Sequence, residues 1–201
     1  MLKPKLLVIG HGRHGKDTVS EILCNEFKLS FISSSMFACK KFIYEDLKDK
    51  YEYKSIEECY SDRHNHRSEW YNAIAGYCES DPSQLGKDIF SEHDIYCGLR
   101  NVREFTEMQK QKVFDACIWV DRSHHLPPEN SLSMTLMPHM AGYIIDNNKS
   151  LEDLEFEVKK TYNEILRHMK HSAGLDMMKY PDQHKSSYSF DYNQIEGYSH
   201  G

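Results

Sequence analysis

The amino-acid sequence predicts an α/β fold of three layers, in which helices cover both faces of a parallel sheet of five strands. Five short apolar runs, each ending in Gly, Ser or Asp, recur along the 201 residues, and segments with helical periodicity separate them. Continuous apolar runs are typical of strands that are buried on both faces of a parallel sheet. Strands that alternate with helices form right-handed βαβ units, which build this layered architecture.

The predicted strands cover residues 6–10, 31–33, 94–98, 116–121 and 143–146. Each is short, and each is followed by small or polar residues. In open α/β sheets, ligands bind outside the carboxyl ends of the strands. The residues that follow these five runs are therefore the first candidates for a binding site.

Apolar side chains at steps of three and four predict the helices between the strands. The clearest stripe follows Ser150, a suitable N-cap with Asp153 at the capping-box position. The stripes, in chain order, consist of Val19, Ile22, Leu23 and Phe27; of Trp70, Ile74 and Tyr77 within residues 65–79; of Phe105, Met108 and Val113; and of Leu151, Leu154, Val158, Tyr162, Ile165 and Met169.

Residues 1–171 are predicted to form one domain, as the chain length suggests. Within it, residues 40–90 carry no strand signal and are helical, charged and aromatic, so we interpret them as a helical insertion. Residues 172–201 are rich in Tyr, Ser, His, Asp and Gly and have little periodicity. We expect them to form a polar tail that is mobile or loosely docked.

The composition argues against several classes of protein. No apolar run is long enough for a membrane span, and the first ten residues fit a strand better than a signal peptide. The six cysteines are spread out without a C-x-x-C pair, which predicts reduced thiols in the cytoplasm. The formal net charge of −6 argues against broad contact with a phosphate backbone, but leaves room for a local basic groove.

Residues 10–18, with the sequence GHGRHGKDT, join the first predicted strand to the helix that follows it. Glycines permit backbone angles that other residues resist, so the N–H groups of such a turn can point at phosphate oxygens. The helix N-terminus adds its dipole, and the lysine adds a full positive charge. The segment predicts a phosphate-binding loop (P-loop) for ATP, with Gly10, Gly12, Arg13, His14, Gly15, Lys16, Asp17 and Thr18 as candidate contacts.

The loop departs from the general pattern GxxxxGK[ST], because Asp17 stands between Lys16 and the first hydroxyl, that of Thr18. Thr18 is the candidate ligand of Mg²⁺. Asp17 could accept a proton from an attacking hydroxyl or hold Mg²⁺ through water. Alternatively, it is a first-turn carboxylate that favours the helix dipole. No aspartate ends the third strand, whose last residues are Tyr-Cys-Gly, so the usual metal ligand is missing there.

Several segments resemble those of phage kinases. GKDT, YCGLRNVREF and IIDNNKSLEDL look like segments of the deoxynucleoside monophosphate kinases and thymidylate-kinase-like enzymes, over about residues 5–170. GHGRHGKDT, SSSMFA and DRHNHRSEW most resemble one branch of that superfamily, the 5-hydroxymethyluracil DNA kinases. The resemblance implies a P-loop kinase that uses ATP and Mg²⁺ in the cytoplasm of an infected bacterial host. Its reaction would phosphorylate the hydroxymethyl group of 5-hydroxymethyluracil in phage DNA, a step in thymidine hypermodification.

Arginines after the third and fourth strands are candidates for phosphate contacts. Arg100 and Arg103 could clamp an acceptor phosphate, a role that the resemblance gives to Arg100. Alternatively, both lie at an exposed helix start, with Glu104 as the partner of Arg100. Arg122 could stabilise charge on the transferred phosphoryl group or lie in an exposed loop. With Lys16 and Asp17, it completes the candidate catalytic residues.

The fifth strand and the insertion supply the remaining candidates. The resemblance to P-loop kinases implies that Asn147 lies beside the adenine ring; alternatively, it belongs to a turn. Ser34 could line the acceptor pocket, or the serines could cap the next helix. Arg63 and Arg67 are candidates for acceptor binding, or belong to a solvated helix face. Trp70 and Tyr71 could stack a base or pack in the core. The two histidines of the same segment, His64 and His66, lack a third ligand with the spacing of a metal site.

The acceptor is left open between two molecules. Residues 123–142 contain no arginine, so the arginine-rich lid of many free-nucleotide kinases is missing, and an open site would suit DNA. The acidic net charge instead favours a free deoxynucleoside monophosphate, which would become a diphosphate. A P-loop regulator that binds ATP without catalysis is the alternative from another class, and the arginines after the third strand argue against it.

Overall fold

The computed structural model describes residues 3–130 and 134–172. Its centre is a parallel sheet of five strands in the order β2-β3-β1-β4-β5. The strands are β1 (Leu6–Ile9), β2 (Phe31–Ser33), β3 (Ile95–Cys97), β4 (Ala116–Asp121) and β5 (Tyr143–Asp146). This confirms the predicted fold class. β2, β4 and β5 match the predicted strands residue for residue, whereas β1 and β3 lack the glycines and the aspartate predicted at their ends.

The first strand lies in the middle of the sheet and is completely buried. It pairs with β3 on one side and with β4 on the other, in a register that places Leu6 opposite both Ile95 and Ala116. All four pairings in the sheet are parallel, so the carboxyl ends of the strands meet at one edge. The loop that follows β1 therefore leaves the sheet between the ends of its two neighbours.

Alternate side chains of β1 belong to two different cores, as the two-residue period of a strand requires. Leu6 and Val8 pack with helices α1 (Lys16–Phe27) and α8 (Leu151–Ser172) on one face. Leu7 and Ile9 pack with the helices of the other face, among them α6 (Gln84–Glu92) and α7 (Val102–Lys110). Each buried leucine or isoleucine contributes roughly 1.5–3 kcal/mol, so both helical layers are firmly attached to the sheet.

The segment between β2 and β3 is helical throughout its regular structure, as the sequence predicted. It contains α2 (Ser34–Ala38), a π-helical turn (Cys39–Ile43), α3 (Tyr44–Tyr51), α4 (Ile56–Asp62), α5 (Arg67–Tyr77) and α6. Ile43, Leu47, Cys59 and Trp70 form a separate apolar core among these helices. The insertion therefore carries its own packing, while its bounds at residues 40 and 90 stay a prediction.

The caps of three helices explain where they begin. Ser150 and Asp153 form the predicted capping box, in which each side chain accepts a hydrogen bond from the other residue's N–H, at 3.2 and 3.3 Å. Ser33 caps α2, since its Oγ accepts from the N–H of Met36, and Asn101 caps α7. The stripe predicted to reach Val113 runs past the end of α7, because the chain turns through a left-handed residue at Lys112.

All six cysteines are free thiols, as expected. Among the helices of residues 3–130 and 134–172, none is long and apolar enough to cross a membrane. The predicted tail, 172–201, lies outside the described residues except for Ser172, which ends α8.

Candidate active site

The loop between β1 and α1 is shaped by close contacts with the neighbouring strands. Gly10 has a φ of 144°, and a Cβ there would lie 2.6 Å from the main-chain oxygen of Val120. Gly15 has a φ of 92°, and a Cβ there would lie 2.2 Å from Nδ2 of Asn147. Arg13, between them, adopts the left-handed conformation with a φ of 64°. The strand–loop–helix context that the sequence predicted for the P-loop is therefore present.

Residues that directly follow β4 and β5 form hydrogen bonds with this loop. The Asn147 side chain donates a hydrogen bond to the main-chain oxygen of His14 at 2.9 Å. The main-chain N–H of Arg122 donates to Nδ1 of His14 at 3.1 Å, and His14 is fully buried. Because Nδ1 accepts, the proton of a neutral His14 lies on Nε2.

These contacts give two predicted site residues an additional role. Asn147 is buried and its amide donates a hydrogen bond to the loop, so it helps to fix the shape of the loop from the end of β5. Its expected contact with adenine stays a prediction. Arg122 touches the loop through its main chain, and the catalytic role of its guanidinium likewise stays a prediction.

Lys16 begins α1 and points its side chain into the loop. Its Nζ donates to the main-chain oxygen of His11 at 2.6 Å. Burial lowers the pKa of the Lys16 ammonium, and the charge of Arg100 lowers it further. A desolvated ammonium inside a loop of main-chain N–H groups is poorly hydrated, which favours its exchange of the His11 oxygen for a phosphate oxygen.

Asp17 lies at the carboxyl end of β3, where the sequence lacks an aspartate. The thiol of Cys97, the last residue of β3, donates to Oδ1 of Asp17 at 3.5 Å. Burial raises the pKa of the Cys97 thiol to about 12, and the Asp17 charge adds to that effect, so the thiol keeps its proton. Asp17 itself is exposed, which leaves its carboxylate open to a ligand.

The donors present fit a magnesium nucleotide. Mg²⁺ bound to phosphates takes only one or two ligands from the protein, and Asp17 and Thr18 at the start of α1 supply a carboxylate and a hydroxyl. Within the described part of the chain, no group of three or more His, Cys, Asp or Glu side chains could hold a metal ion by itself.

A carboxylate that the sequence analysis did not identify lies directly on the P-loop. Oε2 of Glu129 accepts a hydrogen bond from the Gly12 N–H at 2.5 Å, and Oε1 accepts from Nη1 of Arg100 at 2.6 Å. The Glu129 N–H donates to Nδ1 of His11 at 3.2 Å. Burial would raise the pKa of the Glu129 carboxyl, but the hydrogen bond and charge of Arg100 and the Gly12 N–H hold it below its usual value.

Two expectations are corrected by this contact. The segment after β4 was expected to leave the site open, yet its Glu129 covers the N–H of Gly12. Glu104 was the alternative partner of Arg100, yet Arg100 pairs with Glu129 across the site. The sequence around Glu129 did not predict a place in the site, because a single acidic residue after two prolines belongs to no periodic pattern or motif.

The acceptor side begins at the ends of β2 and β3. Oγ of Ser34 donates to the main-chain oxygen of Gly98 at 3.5 Å, which joins the two strand ends. Oγ of Ser33 lies 3.4 Å from the hydroxyl of Tyr60. The guanidinium of Arg63 lies over the Tyr60 ring, 4.0 Å from its centroid, and donates to the Tyr60 main-chain oxygen. Arg63 is thus connected to the strand edge through Tyr60.

Other residues of the insertion are placed elsewhere. Arg67 and Arg103 are exposed at the starts of α5 and α7, and their proposed contacts with an acceptor stay predictions. Trp70 is buried in the core of the insertion, which decides its role in favour of packing, whereas Tyr71 is 67% exposed.

The histidine-rich segment of the insertion is held by an internal network. Nε2 of His66 lies 2.9 Å from a carboxylate oxygen of Asp62, and its Nδ1 lies 3.3 Å from Glu69. The hydroxyl of Tyr53 donates to Asp62, and this hydrogen bond and that of Asn65 lower the pKa of the Asp62 carboxyl. These side chains therefore connect α4 and α5 to each other and to the turn that follows α3.

No family model matches this chain, and no curated protein matches its sequence. Solved structures of similar fold include a gluconokinase from Sinorhizobium meliloti 1021, at 11% identity and a TM-score of 0.47, covering 85% of this chain and 98% of that one. A shikimate kinase from Bacteroides thetaiotaomicron has 9% identity and a TM-score of 0.44, covering 81% and 97%. TT1252 from Thermus thermophilus has 18% identity and a TM-score of 0.46, covering 81% and 98%. Likenesses this distant assign neither a substrate nor an activity.

Proposed function

We propose that this chain is an ATP-dependent phosphotransferase. One observation carries the proposal: an anion, the Glu129 carboxylate, lies between the Gly12 N–H and the Arg100 guanidinium at the mouth of the P-loop. The same loop holds the Lys16 ammonium, and α1 begins beneath it. A site that already binds a carboxylate through a main-chain N–H and an arginine also suits phosphate oxygens, because these accept hydrogen bonds from the same kinds of donor.

In the proposed reaction, the N–H groups of the loop and Lys16 hold the β- and γ-phosphates. Asp17, exposed beside the end of β3, accepts the proton of the attacking hydroxyl or orients it, and the Arg122 guanidinium stabilises charge on the phosphoryl oxygens. Asp17 and Thr18 would hold Mg²⁺, and the ion would neutralise part of the phosphate charge. Most of the rate enhancement then comes from positioning and electrostatics.

For the acceptor, we propose the hydroxymethyl group of 5-hydroxymethyluracil in DNA. The support is the resemblance of the loop, of SSSMFA and of DRHNHRSEW to the 5-hydroxymethyluracil DNA kinases, together with arginines near the strand edge. Arg63 lies beside Tyr60 and the serines that end β2, and Arg67 and Arg100 are exposed enough to meet a DNA backbone. The 5-position of a pyrimidine projects into the major groove, so its substituent is accessible without opening the pair.

A second acceptor is favoured by the arrangement of Arg100. This arginine holds an anion at 2.6 Å beside the loop, which is where the phosphate of a free deoxynucleoside monophosphate would be held. The segment that carries Glu129 also narrows the site from the β4 side, and that suits a small acceptor better than an open groove would.

One experiment separates these candidates. The protein is incubated with γ-labelled ATP and Mg²⁺ and, in separate reactions, hydroxymethyluracil DNA, ordinary DNA and the four deoxynucleoside monophosphates. Label on the first DNA alone, recovered as phosphomethyl-deoxyuridine after digestion, supports the DNA acceptor, and labelled diphosphates support the second candidate. ATP binding without transfer to any acceptor would instead indicate a regulator, and Lys16→Ala serves as the blank for contaminating kinases.

A further inference from the structure

Three hydrogen bonds hold Glu129 at the site. Its two carboxylate oxygens accept from the Gly12 N–H and from the Arg100 guanidinium, and its main-chain N–H donates to Nδ1 of His11. A Cβ on Gly12 would lie 3.1 Å from the carboxyl carbon, so the side chain is pressed against the loop backbone. With its pKa held below the usual value, this group is a full anion at neutral pH.

An anion in this position competes with a nucleotide. A main-chain N–H has one hydrogen to donate, and at 2.5 Å the Glu129 oxygen takes the one that Gly12 offers. A phosphate approaching the same donor would also be repelled by the carboxylate in a partly desolvated site. The two anions therefore exclude each other from the Gly12 N–H.

We propose that Glu129 is an internal competitor for the nucleotide phosphate, and that ATP, by displacing it, releases Arg100 to bind the acceptor. This inference rests on the proposed function and adds a coupling between its two substrates. With the nucleotide absent, Arg100 is neutralised by Glu129, so an anionic acceptor finds no free charge there. With the nucleotide bound, Arg100 loses its partner and gains one in the acceptor's phosphate.

The ion pair sets the expected magnitude. The side chains of Arg100 and Glu129 are 44% and 27% exposed, so solvent screens their attraction to a modest value. The apparent dissociation constant of the nucleotide is its intrinsic value divided by the fraction of molecules with Glu129 displaced. We expect removal of the charge to tighten nucleotide binding about two- to fivefold.

The test is a calorimetric titration of the full chain with a non-hydrolysable ATP analogue and Mg²⁺. It compares the wild type, Glu129→Gln, and Glu79→Gln as a control that removes one exposed carboxylate elsewhere. Tighter binding by Glu129→Gln alone supports the proposal. Equal or weaker binding by Glu129→Gln overturns it, whereas failure of every variant to bind overturns the proposed function itself.

A second titration tests the coupling, with thymidine monophosphate as the phosphate-bearing probe. The wild type is expected to bind it several-fold more tightly when the ATP analogue is present, and Glu129→Gln to bind it equally well with and without the analogue. Arg100→Ala should bind the probe weakly in both conditions. The same coupling in the wild type and in Glu129→Gln would show that Arg100 is not controlled by Glu129, and thermal unfolding checks that each variant is folded.

Discussion

The side-chain amide of Asn147 donates a hydrogen bond to the main-chain oxygen of His14 at 2.9 Å and so joins the end of β5 to the loop that follows β1. The amide nitrogen also fills the space where a side chain on Gly15 would lie. The shape of the P-loop thus depends on a residue 133 positions further along the chain.

Replacing Asn147 with alanine should loosen the loop. The variant loses a buried hydrogen bond and leaves the His14 oxygen without it, at a cost of about 1–2 kcal/mol in the free energy of unfolding. We expect the affinity for an ATP analogue to fall about fivefold or more, measured by calorimetry beside urea unfolding. Asn148→Ala is the matched control, since that amide contacts Asp121 and Asp146 instead. Unchanged nucleotide affinity in Asn147→Ala would show that the loop keeps its shape without the amide.

Lys16→Ala should remove phosphoryl transfer and leave the fold intact. The side chain donates to the loop and belongs to none of the three apolar cores, so its loss costs little packing. One preorganised donor at a developing charge accounts for about a hundred- to a thousandfold in rate. The measurement is transfer of labelled phosphate, with circular dichroism as the control for folding. Near-normal turnover by the variant would exclude this loop as the phosphate site.

Asp17→Asn should lower turnover much more than nucleotide affinity. A proton acceptor, or a metal contact through water, acts mainly in the transition state. The Cys97 thiol can still donate to the amide oxygen, so the local structure should persist. Glu21→Gln, an exposed carboxylate one turn along α1, controls for the loss of charge. Weaker ATP binding with unchanged turnover would instead make Asp17 a helix-start residue.

Glu104 should make stability depend on pH. Burial raises the pKa of its carboxyl from 4.5 to about 7. The folded protein therefore keeps this proton where the unfolded chain has released it, and stability falls as the pH rises from about 4.5 to 7 and then levels off. We expect this group to account for about 2 kcal/mol between pH 5 and pH 8, a difference that Glu104→Gln abolishes.

The check on Glu104 is urea unfolding of the wild type and of Glu104→Gln at both pH values. Glu107→Gln, on the same helix, is the control. If the wild type and Glu104→Gln lose stability equally between pH 5 and pH 8, the buried carboxyl is not the source of the pH dependence.

Much of the fold was predictable because its signals are local. A strand buried on both faces must be apolar throughout, and α8 needs a stripe at helical spacing with a capping box at its start. These requirements identified β4 (Ala116–Asp121), β5 (Tyr143–Asp146) and the Ser150–Asp153 cap correctly. The apolar stripe predicted that the helix of Phe105 and Met108 continues to Val113, and this was wrong. The helix ends at Lys110 and the chain turns through a left-handed residue at Lys112, although Val113 is still apolar.

By itself, the sequence determined the five strands in chain order and the strand–loop–helix context of residues 10–18, because hydrophobic periodicity and glycine spacing act over a few residues. Only the tertiary structure decided which side chains meet at that loop. Glu129 lies 117 positions from Gly12, and Arg100 lies 29 positions from Glu129. Contacts of that kind depend on the path of the connection after β4 and on the strand order, which places β3 and β4 on either side of β1. No local pattern encodes either.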